Sequence, residues 1–319
     1  MAIDHSLFLP TGFGGELGAG DPVAAYAFLE SLVTVADEEG FETAWILDHF
    51  QTAPPSQANL FECWTLTAAL LRATSRLRVG QLVTGNGYRN PALLAKMAST
   101  ADIIGNGRLT FGIGAGWYEP DYAAFGYEFD DTPARLRRLG EAVRVIMSLW
   151  TQDETTFEGS YYEVRGAVNQ PKGVQQPHIP MLIAGGGEKV TLKLVAEHGD
   201  LCNIIESPEG LERKFAILRQ HCDAAGRDYD AIRRTSVSLC ALADSDEEAR
   251  AMLPEGSGAL FPGDVRDYGL IGTVQTVRER LARYEAAGVQ ELAINFIAAD
   301  PGELMRRYAS EFVTAEAIA

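Results

Sequence analysis

Short apolar runs alternate with longer amphipathic segments along most of the chain. In the amphipathic segments apolar residues recur at helical spacing, as at Leu93, Leu94 and Met97 behind Pro91. Glycines and prolines separate the segments and mark the turns between them. The apolar runs have the length of buried strands and occupy residues 6–9, 43–47, 77–84, 109–113, 181–184, 201–205, 236–243 and 292–296. Strands that alternate with helices in this way favour a parallel sheet covered by helices.

Eight strands of this kind predict a closed (β/α)8 TIM barrel, with an open doubly wound sheet as the alternative. Three stretches lie outside the alternation and are interpreted as insertions, near residues 117–130, 152–178 and 254–270. The second includes residues 155–164, whose alternating pattern turns at Gly159 and predicts a β-hairpin. We expect a single domain that spans residues 1–319.

Composition and charge narrow the possible partners. The chain is 46% hydrophobic, as globular proteins are, and its net charge of −17 disfavours binding to nucleic acid or to anionic membranes. It has no apolar run of the roughly 20 residues that span a bilayer and no evident signal peptide, so we expect a cytoplasmic protein. The cysteines lie in no CxxC pair or zinc-spaced cluster, which predicts free thiols and no metal site; they are Cys63, Cys202, Cys222 and Cys240.

Candidate chemistry follows the carboxyl ends of the predicted strands, where a barrel places its active site. His49 ends the second strand and is the residue type best suited to hold or move a proton near neutral pH. A core histidine bonded to a backbone carbonyl is the alternative. Adjacent strand residues point to opposite faces, so we do not expect both His49 and Asp48 at the barrel mouth. Trp117 and Tyr118 follow the fourth strand and either wall a pocket for a flat substrate or form a satellite core.

Two glycine-rich loops also follow predicted strands. In residues 112–116 the third glycine comes too early for a dinucleotide fingerprint, and an aromatic residue follows. These glycines either let a flat ring lie against the backbone or pack a tight barrel rim. Residues 184–187 lead from the fifth strand directly into a predicted helix, whose free N–H groups favour an anion such as phosphate. Lys189 could add positive charge there, and a plain helix-entry turn is the alternative.

Five phrases of the sequence, in this order, resemble the luciferase-like monooxygenase superfamily, and most of all its branch of deazaflavin (coenzyme F420)-dependent oxidoreductases. The resemblance covers roughly residues 20–297. The matching phrases are residues 47–50, 88–96, 105–109, 114–120 and 184–187. The resemblance implies a luciferase-like TIM barrel that binds F420, with FMN as the alternative cofactor.

The resemblance also assigns roles to individual residues. It implies that His49 is catalytic and that a non-prolyl cis peptide near Leu82–Val83 backs the cofactor ring. The expected cofactor-binding residues are Asp48, Leu82, Val83, Thr84, Asn86, Ala115, Gly116, Gly185, Gly186, Gly187 and Lys189. The expected substrate pocket contains Phe13, Trp117 and Tyr118. A homodimer is also expected.

Two positions depart from the deazaflavin-dependent sugar-phosphate dehydrogenases of the same superfamily. Ala53 stands where those enzymes have a tryptophan, and Trp117 or Tyr118 stands where they have a glutamate. Sugar-phosphate oxidation is therefore not expected. The resulting hypothesis is an F420-dependent oxidoreductase that transfers a hydride between the deazaflavin and a small organic substrate. The alternatives are an FMN-dependent monooxygenase that uses oxygen, and a cofactor-free barrel that binds a ligand or assembles with other proteins.

Overall fold

The predicted alternation of strands and helices is present. The structure, a computed structural model, describes residues 3–313. The strands of this part of the chain are β1 (Asp4–Phe8), β2 (Thr43–Ile46), β3 (Arg78–Gln81), β4 (Thr84–Gly85), β5 (Leu109–Gly114), β6 (Thr155–Glu158), β7 (Glu163–Ala167), β8 (Met181–Ala184), β9 (Leu201–Asn203), β10 (Arg233–Leu242), β11 (Leu270–Gly272) and β12 (Glu291–Phe296). The predicted (β/α)8 barrel is confirmed, and its eight strands are those at the eight predicted positions.

The helices cover the intervals between barrel strands. They are α1 (Pro22–Glu38), α2 (Cys63–Ala73), α3 (Pro91–Ile104), α4 (Glu119–Phe125), α5 (Thr132–Thr151), α6 (Thr191–His198), α7 (Pro208–Ala225), α8 (Asp246–Ala251), α9 (Val274–Ala286) and α10 (Pro301–Phe312). Proline stands in the first turn of α3, α5, α7 and α10, where its missing N–H needs no partner. A polar side chain caps each of these four helices at Asn90, Asp131, Ser207 and Asp300.

By their contacts the described residues fall into two compact units. Unit I comprises residues 3–10, 26–45 and 185–313, and unit II comprises residues 11–25 and 46–184. The expectation of a single domain stays a prediction. Its range, residues 1–319, includes residues 1, 2 and 314–319, which lie outside the described part of the chain.

In unit I the strands follow the order β11, β10, β12, β1, β2, and β9 pairs with the first residues of β10, whereas β11 pairs with its last residues. The carboxylate of Glu291, at the start of β12, is buried, so it needs polar partners. It accepts hydrogen bonds from Ser6 Oγ (2.7 Å) and Trp45 Nε1 (2.9 Å) and pairs with Arg233 Nε at 2.9 Å. This cluster ties the first, second and last barrel strands to β10.

In unit II the strands follow the order β3, β5, β8, and the short strand β4 also pairs with β5. The predicted hairpin is present as the antiparallel pair β6–β7. Glu141, in α5, holds the turn of this hairpin because its buried carboxylate accepts from the N–H groups of Ser160, Tyr161 and Tyr162 at 2.8, 2.8 and 3.2 Å. Burial alone would raise the pKa of Glu141, but these three donors lower it below its usual value.

The Leu82–Val83 peptide bond is cis, as the resemblance implies. The bonds before Pro54, Pro171 and Pro177 are cis as well. The four cysteines are buried and unpaired, as predicted. Among the described helices none is both long and apolar enough to cross a membrane.

Some predicted boundaries were wrong. The helix after the second glycine loop begins at Thr191 and not directly after Gly187, because residues 188–190 form a turn. The helix α2 begins at Cys63, because the Glu62 side chain accepts from the N–H groups of its first turn. Strands β4 and β11 were not predicted, since two or three residues carry too little periodic pattern.

One half-buried histidine predicts how stability depends on pH. His5 Nδ1 lies 2.9 Å from the hydroxyl of the buried Tyr308, and burial lowers the pKa of His5 from 6.5 to about 4. Between these values the unfolded chain binds a proton that the folded chain does not. The free energy of unfolding should therefore fall as pH drops from 6.5, by about 2 kcal/mol at pH 4.5.

Urea unfolding of His5→Gln against the wild type, at pH 7.5 and pH 4.5, measures this contribution. The variant lacks the titrating ring, so its deficit in unfolding free energy should be smaller at pH 4.5 than at pH 7.5. A deficit that is the same at both pH values would show that His5 is not the titrating group.

Candidate functional site

The centre of the candidate site is a buried histidine–carboxylate pair in unit II. His49 follows β2, and Asp121 lies in the first turn of α4, where the helix dipole favours an acidic side chain. His49 Nδ1 lies 2.8 Å from Asp121 Oδ2, which also accepts from the Phe50 N–H (3.3 Å) and the Tyr88 hydroxyl (3.1 Å). A carboxylate on Nδ1 favours the tautomer with Nδ1–H, so Nε2 of the neutral ring is free to exchange a proton with a ligand.

The residues around Asp121 hold its side chain in place. Asp121 is fully buried, and no described donor reaches its second oxygen, Oδ1. Burial raises the pKa of the Tyr88 hydroxyl, and the charge of Asp121 raises it further, so Tyr88 stays a hydrogen-bond donor at neutral pH. The histidine ring is thereby held by a carboxylate that is itself held from two other directions.

Aromatic side chains surround the histidine on its other side. Phe13 stacks on His49 with ring centroids 3.9 Å apart, and Tyr118 and Trp117 meet the histidine edge-on at 5.5 and 5.8 Å. Trp117 is 54% exposed, whereas His49 is 6% exposed. The three predicted pocket residues therefore do converge on His49, and the exposed tryptophan face is available to an incoming molecule.

Asp48 faces away from His49 and into a polar cluster of its own. Its carboxylate forms a two-point ion pair with Arg89, at 2.6 and 3.0 Å, and accepts from Thr84 Oγ1 (2.6 Å) and the Gly85 N–H (3.1 Å). Arg89 also pairs with Glu62 at 2.6 Å. Burial alone would lower the pKa of Arg89, but the adjacent carboxylate of Asp48 raises it. Asp48 thus fixes the residues around β4, and its predicted contact with the cofactor stays a prediction.

The first glycine loop packs against protein side chains. A Cβ at Gly112 would lie 1.8 Å from the carbonyl oxygen of Gln81, and one at Gly114 would lie 2.7 Å from Val83. These glycines make room for the segment that contains the cis peptide, so Val83 is held at the end of β5. A Cβ at Gly116 would lie 2.0 Å from the Tyr122 hydroxyl. The packing role that we considered for these glycines is therefore present, whether or not a ring also lies nearby.

The second glycine loop belongs to unit I and surrounds a threonine and a lysine. A Cβ at Gly187 would lie 2.8 Å from Thr191 Oγ1, and one at Gly186 would lie 3.8 Å from Lys214 Nζ. Lys214 Nζ donates to the Gly186 carbonyl at 2.8 Å. An open glycine backbone, a hydroxyl at a helix start and an ammonium group are suited to a phosphate, and these residues fit a phosphate-bearing cofactor.

The cations near this loop are partly neutralised within unit I. Glu188 Oε1 lies 2.8 Å from Lys214 Nζ and 2.6 Å from Arg213 Nη1, and these two cations lower the pKa of Glu188. Lys189, in contrast, is exposed and lies in the turn before α6. The predicted role of Lys189 stays a prediction, and the lysine held beside the loop is Lys214.

The sequence interpretation missed two residues of these sites. Asp121 was read only as part of an aromatic-rich insertion, although it is an acidic residue in a first helical turn, directly before the buried Tyr122. Thr191 was taken as an interior position of a longer helix. An unexplained acidic or hydroxyl residue next to a glycine loop was the available signal in both cases. The described residues contain no group of three metal-ligating side chains close enough to hold an ion.

Comparison with known proteins shows the family of this chain. A family model described as luciferase-like monooxygenase matches residues 3–261. The chain belongs to this family. The predicted luciferase-like enzyme is thereby confirmed, and its named relatives include enzymes of both cofactor types.

Two relatives and one solved structure illustrate this range. The FMNH2-dependent dimethylsulfone monooxygenase of Pseudomonas putida is 27% identical over 302 residues, which are 83% of this chain and 82% of that protein. The F420-dependent glucose-6-phosphate dehydrogenase of Kineococcus radiotolerans is 34% identical over 212 residues, 65% of this chain and 61% of that protein. The structure of an F420-dependent secondary alcohol dehydrogenase in complex with an F420-acetone adduct has a TM-score of 0.82 at 20% identity over 100% of both chains, which shows the shared fold.

The His49–Asp121 contact predicts a defined tautomer of His49. At pH 8, 15N-labelled wild-type protein should show His49 with a protonated Nδ1 and an unprotonated Nε2. In Asp121→Asn the amide can donate to the ring as well as accept, so this preference should be lost or reversed. Glu119→Gln, an exposed change in the same helical turn, should leave the His49 signals unchanged. Identical His49 spectra for the wild type and Asp121→Asn would contradict the assigned contact.

The Gly186–Lys214 contact predicts the outcome of placing a carboxylate in the second glycine loop. Gly186→Asp should fold, because Lys214 can pair with the new side chain, but it should weaken binding of a phosphate-bearing cofactor at least 100-fold. Gly186→Ala adds only a methyl group with ordinary contacts, 3.4 Å or more, and should change affinity less than fivefold. Isothermal titration, with circular dichroism as the folding check, measures both. Unchanged affinity in folded Gly186→Asp would remove this loop from the cofactor site.

Proposed function

We propose that this protein is an F420-dependent oxidoreductase that transfers a hydride between the deazaflavin and a small organic substrate. The observation that carries the proposal is the buried pair of His49 and Asp121, with Nε2 of the histidine free and aromatic side chains around it. Interconversion of an alcohol and a carbonyl moves a hydride at carbon and a proton at oxygen. A bound deazaflavin supplies or accepts the hydride, which leaves the proton to the protein.

The protein itself would transfer the proton of this reaction. His49 Nε2 would accept the proton as the substrate hydroxyl becomes a carbonyl, and would return it in the opposite direction. Asp121 would act as a positioning residue, because it orients the ring and stabilises the positive charge that the ring gains. Phe13, Trp117 and Tyr118 would exclude water and orient the substrate.

In unit II, Leu82, Val83 and Thr84 would back the ring, with Asn86 and Ala115 at the neighbouring strand ends. In unit I, the backbone of residues 185–187 with Thr191 and Lys214 would bind the phosphate. These assignments rest on the family resemblance and on the contacts described above for each unit.

An FMN-dependent monooxygenase is the second candidate function. The observation in its favour is that the match to the FMNH2-dependent relative extends over 82% of that protein, compared with 61% for the F420-dependent relative. A flavin has a similar ring and the same ribityl phosphate, so the residues assigned above could serve either cofactor. The homodimer and the cytoplasmic location stay predictions under either candidate function.

Discrimination between the cofactors should come from the anionic lactyl and glutamyl tail of F420. The nearby cations are Lys189, Lys193, Arg213 and Lys214, of which Arg213 and Lys214 share Glu188 and Lys193 lies 3.8 Å from Glu197. Each exposed contact contributes about 0.2–1 kcal/mol. Two or three such contacts amount to about a tenfold preference.

Parallel titrations of the wild-type protein with F420 and FMN, at physiological ionic strength, test the proposal. We expect F420 to bind about tenfold tighter than FMN, and turnover with F420 to fall roughly 100-fold or more in His49→Gln. FMN binding that is equal or tighter, with substrate-dependent oxygen uptake, would establish the monooxygenase instead. Failure of both cofactors to bind at micromolar concentration would favour a cofactor-free barrel.

A further inference from the structure

A polar cavity of about 230 Å³ lies in unit II beside the first glycine loop. It is bounded by the segment after β4, by α4 and by the first turns of α5. Its lining includes Asn86, Gly87, Ala115, Tyr122, Arg135 and Arg138. Two of these residues, Asn86 and Ala115, belong to the expected cofactor-binding set, whereas nothing above gives the arginines a role.

Four buried polar atoms on the residues that line this cavity have no hydrogen-bond partner among the described residues. They are Asn86 Oδ1, the Tyr122 hydroxyl oxygen, Arg135 Nε and Arg138 Nε, and the last of these is in an ion pair with Asp130 at 2.7 Å. Asn86 and Tyr122 are 2% and 1% exposed, so unsatisfied groups on them are costly. Such groups at a cavity indicate that a polar ligand completes them.

Two arginines and two carboxylates line the cavity, namely Arg135 and Arg138 with Glu128 and Asp130. Arg138 pairs with Asp130 at 2.7 Å and more loosely with Glu128 at 3.5 Å. Arg135 donates only to neutral acceptors, the Asp130 carbonyl and Thr132 Oγ1, and no described carboxylate pairs with it. The guanidinium carbon of Arg135 lies 4.1 Å from the centroid of the Phe129 ring, and its Nε has no acceptor among the described residues.

The tyrosine adds a neutral donor. A Cβ at Gly87 would lie 2.5 Å from the Tyr122 ring, and one at Gly116 would lie 2.0 Å from its hydroxyl, so the glycines fix the position of this ring. Burial raises the pKa of Tyr122 to about 12, against the opposing effect of the Arg135 charge. At neutral pH the hydroxyl therefore keeps its proton.

We propose that this cavity binds a carboxylate that has a hydrogen-bond donor next to it. Arg135 Nε and the Tyr122 hydroxyl would donate to the two carboxylate oxygens, and Asn86 Oδ1 would accept from the neighbouring hydroxyl or amide group. No described carboxylate pairs with Arg135, and its planar guanidinium matches a planar carboxylate.

Two sources could supply this group, and both rest on the proposed function. One is the substrate, as in a 2-hydroxy acid. The other is the cofactor tail, because a glutamyl residue carries carboxylates near amide N–H groups. The binding of a simple carboxylate to the cavity does not depend on either source, so it can be tested alone.

The first experiment uses L-lactate as the probe, with chloride at equal ionic strength as the reference. Its dissociation constant is measured by NMR titration of the wild type, Arg135→Gln, Tyr122→Phe and the matched control Arg137→Gln. A lost charge-assisted bond should raise the constant about tenfold or more in Arg135→Gln, and a lost neutral bond about threefold in Tyr122→Phe. Arg137 is exposed, donates to Tyr161 and should matter less than twofold.

Tyr122→Phe keeps the ring that fills the space beside Gly87 and Gly116, so it tests the proposal even if Arg135→Gln disturbs the start of α5. Lactate binding that is equal in the wild type and both cavity variants would overturn the proposal. So would the absence of saturable lactate binding in the wild type, because the cavity would then hold only water.

The second experiment identifies the source by titrating Arg135→Gln with F420 and with the deazaflavin fragment that lacks phosphate and tail. A loss of at least fivefold for F420 alone would assign the cavity to the tail. No loss for either would assign it to the substrate, provided the lactate result is positive. An equal loss for both would mean that the cavity contacts the ring, which overturns the carboxylate assignment. If F420 does not bind the wild type at all, the proposed function fails while the lactate result still stands.

Discussion

The buried charge of Asp48 constrains the candidate site of unit II more than any other single group. A carboxylate that is 3% exposed must be paired and hydrogen-bonded, because an isolated buried charge costs several kcal/mol. Arg89 neutralises it from the loop before α3, and Thr84 and the Gly85 N–H complete its shell. These bonds fix the backbone on both sides of β4. Val83 is therefore held on one side of this strand and Asn86 on the other.

His49, the residue after Asp48, has different partners at the same strand end. Because consecutive side chains on an extended chain point in opposite directions, His49 leaves the Asp48 cluster and meets Asp121 instead. Two buried carboxylates thus have distinct roles. Asp48 accepts from Thr84, Gly85 and Arg89, whereas Asp121 contacts Nδ1 of the His49 imidazole.

The glycines of the two loops have different structural roles. Gly112, Gly114 and Gly116 admit protein groups, namely the Gln81 carbonyl, Val83 and Tyr122, so their lack of a side chain is used for packing. Gly186 instead has Ile204 and Lys214 as its nearest neighbours, at ordinary contact distance, and its backbone lies beside a cation. A similar composition therefore gives a packed loop in unit II and an open, anion-compatible loop in unit I. The positive charge of the open loop is local, since the net charge of the chain repels anions.

The sequence by itself determined the barrel, because strand and helix periodicities, glycine and proline positions and helix caps are local signals. The eight strand positions, the hairpin turning at Gly159 and the beginning of α3 at Pro91 follow from such signals. It also pointed to His49, Asp48 and the glycine loops, since each stands at the end of a periodic segment. The cis bond at Leu82–Val83 came only from the family resemblance.

Only the tertiary structure decided which of these residues act together. Asp121 lies 72 positions after His49, Arg89 lies 41 positions after Asp48, and Lys214 lies 28 positions after Gly186. No local pattern encodes such pairs, because they form only when parallel strands bring distant loops to one edge of the sheet. The unsatisfied groups of Asn86, Tyr122 and Arg135 were likewise invisible in the sequence, since whether a polar atom finds a partner depends on what the fold packs around it.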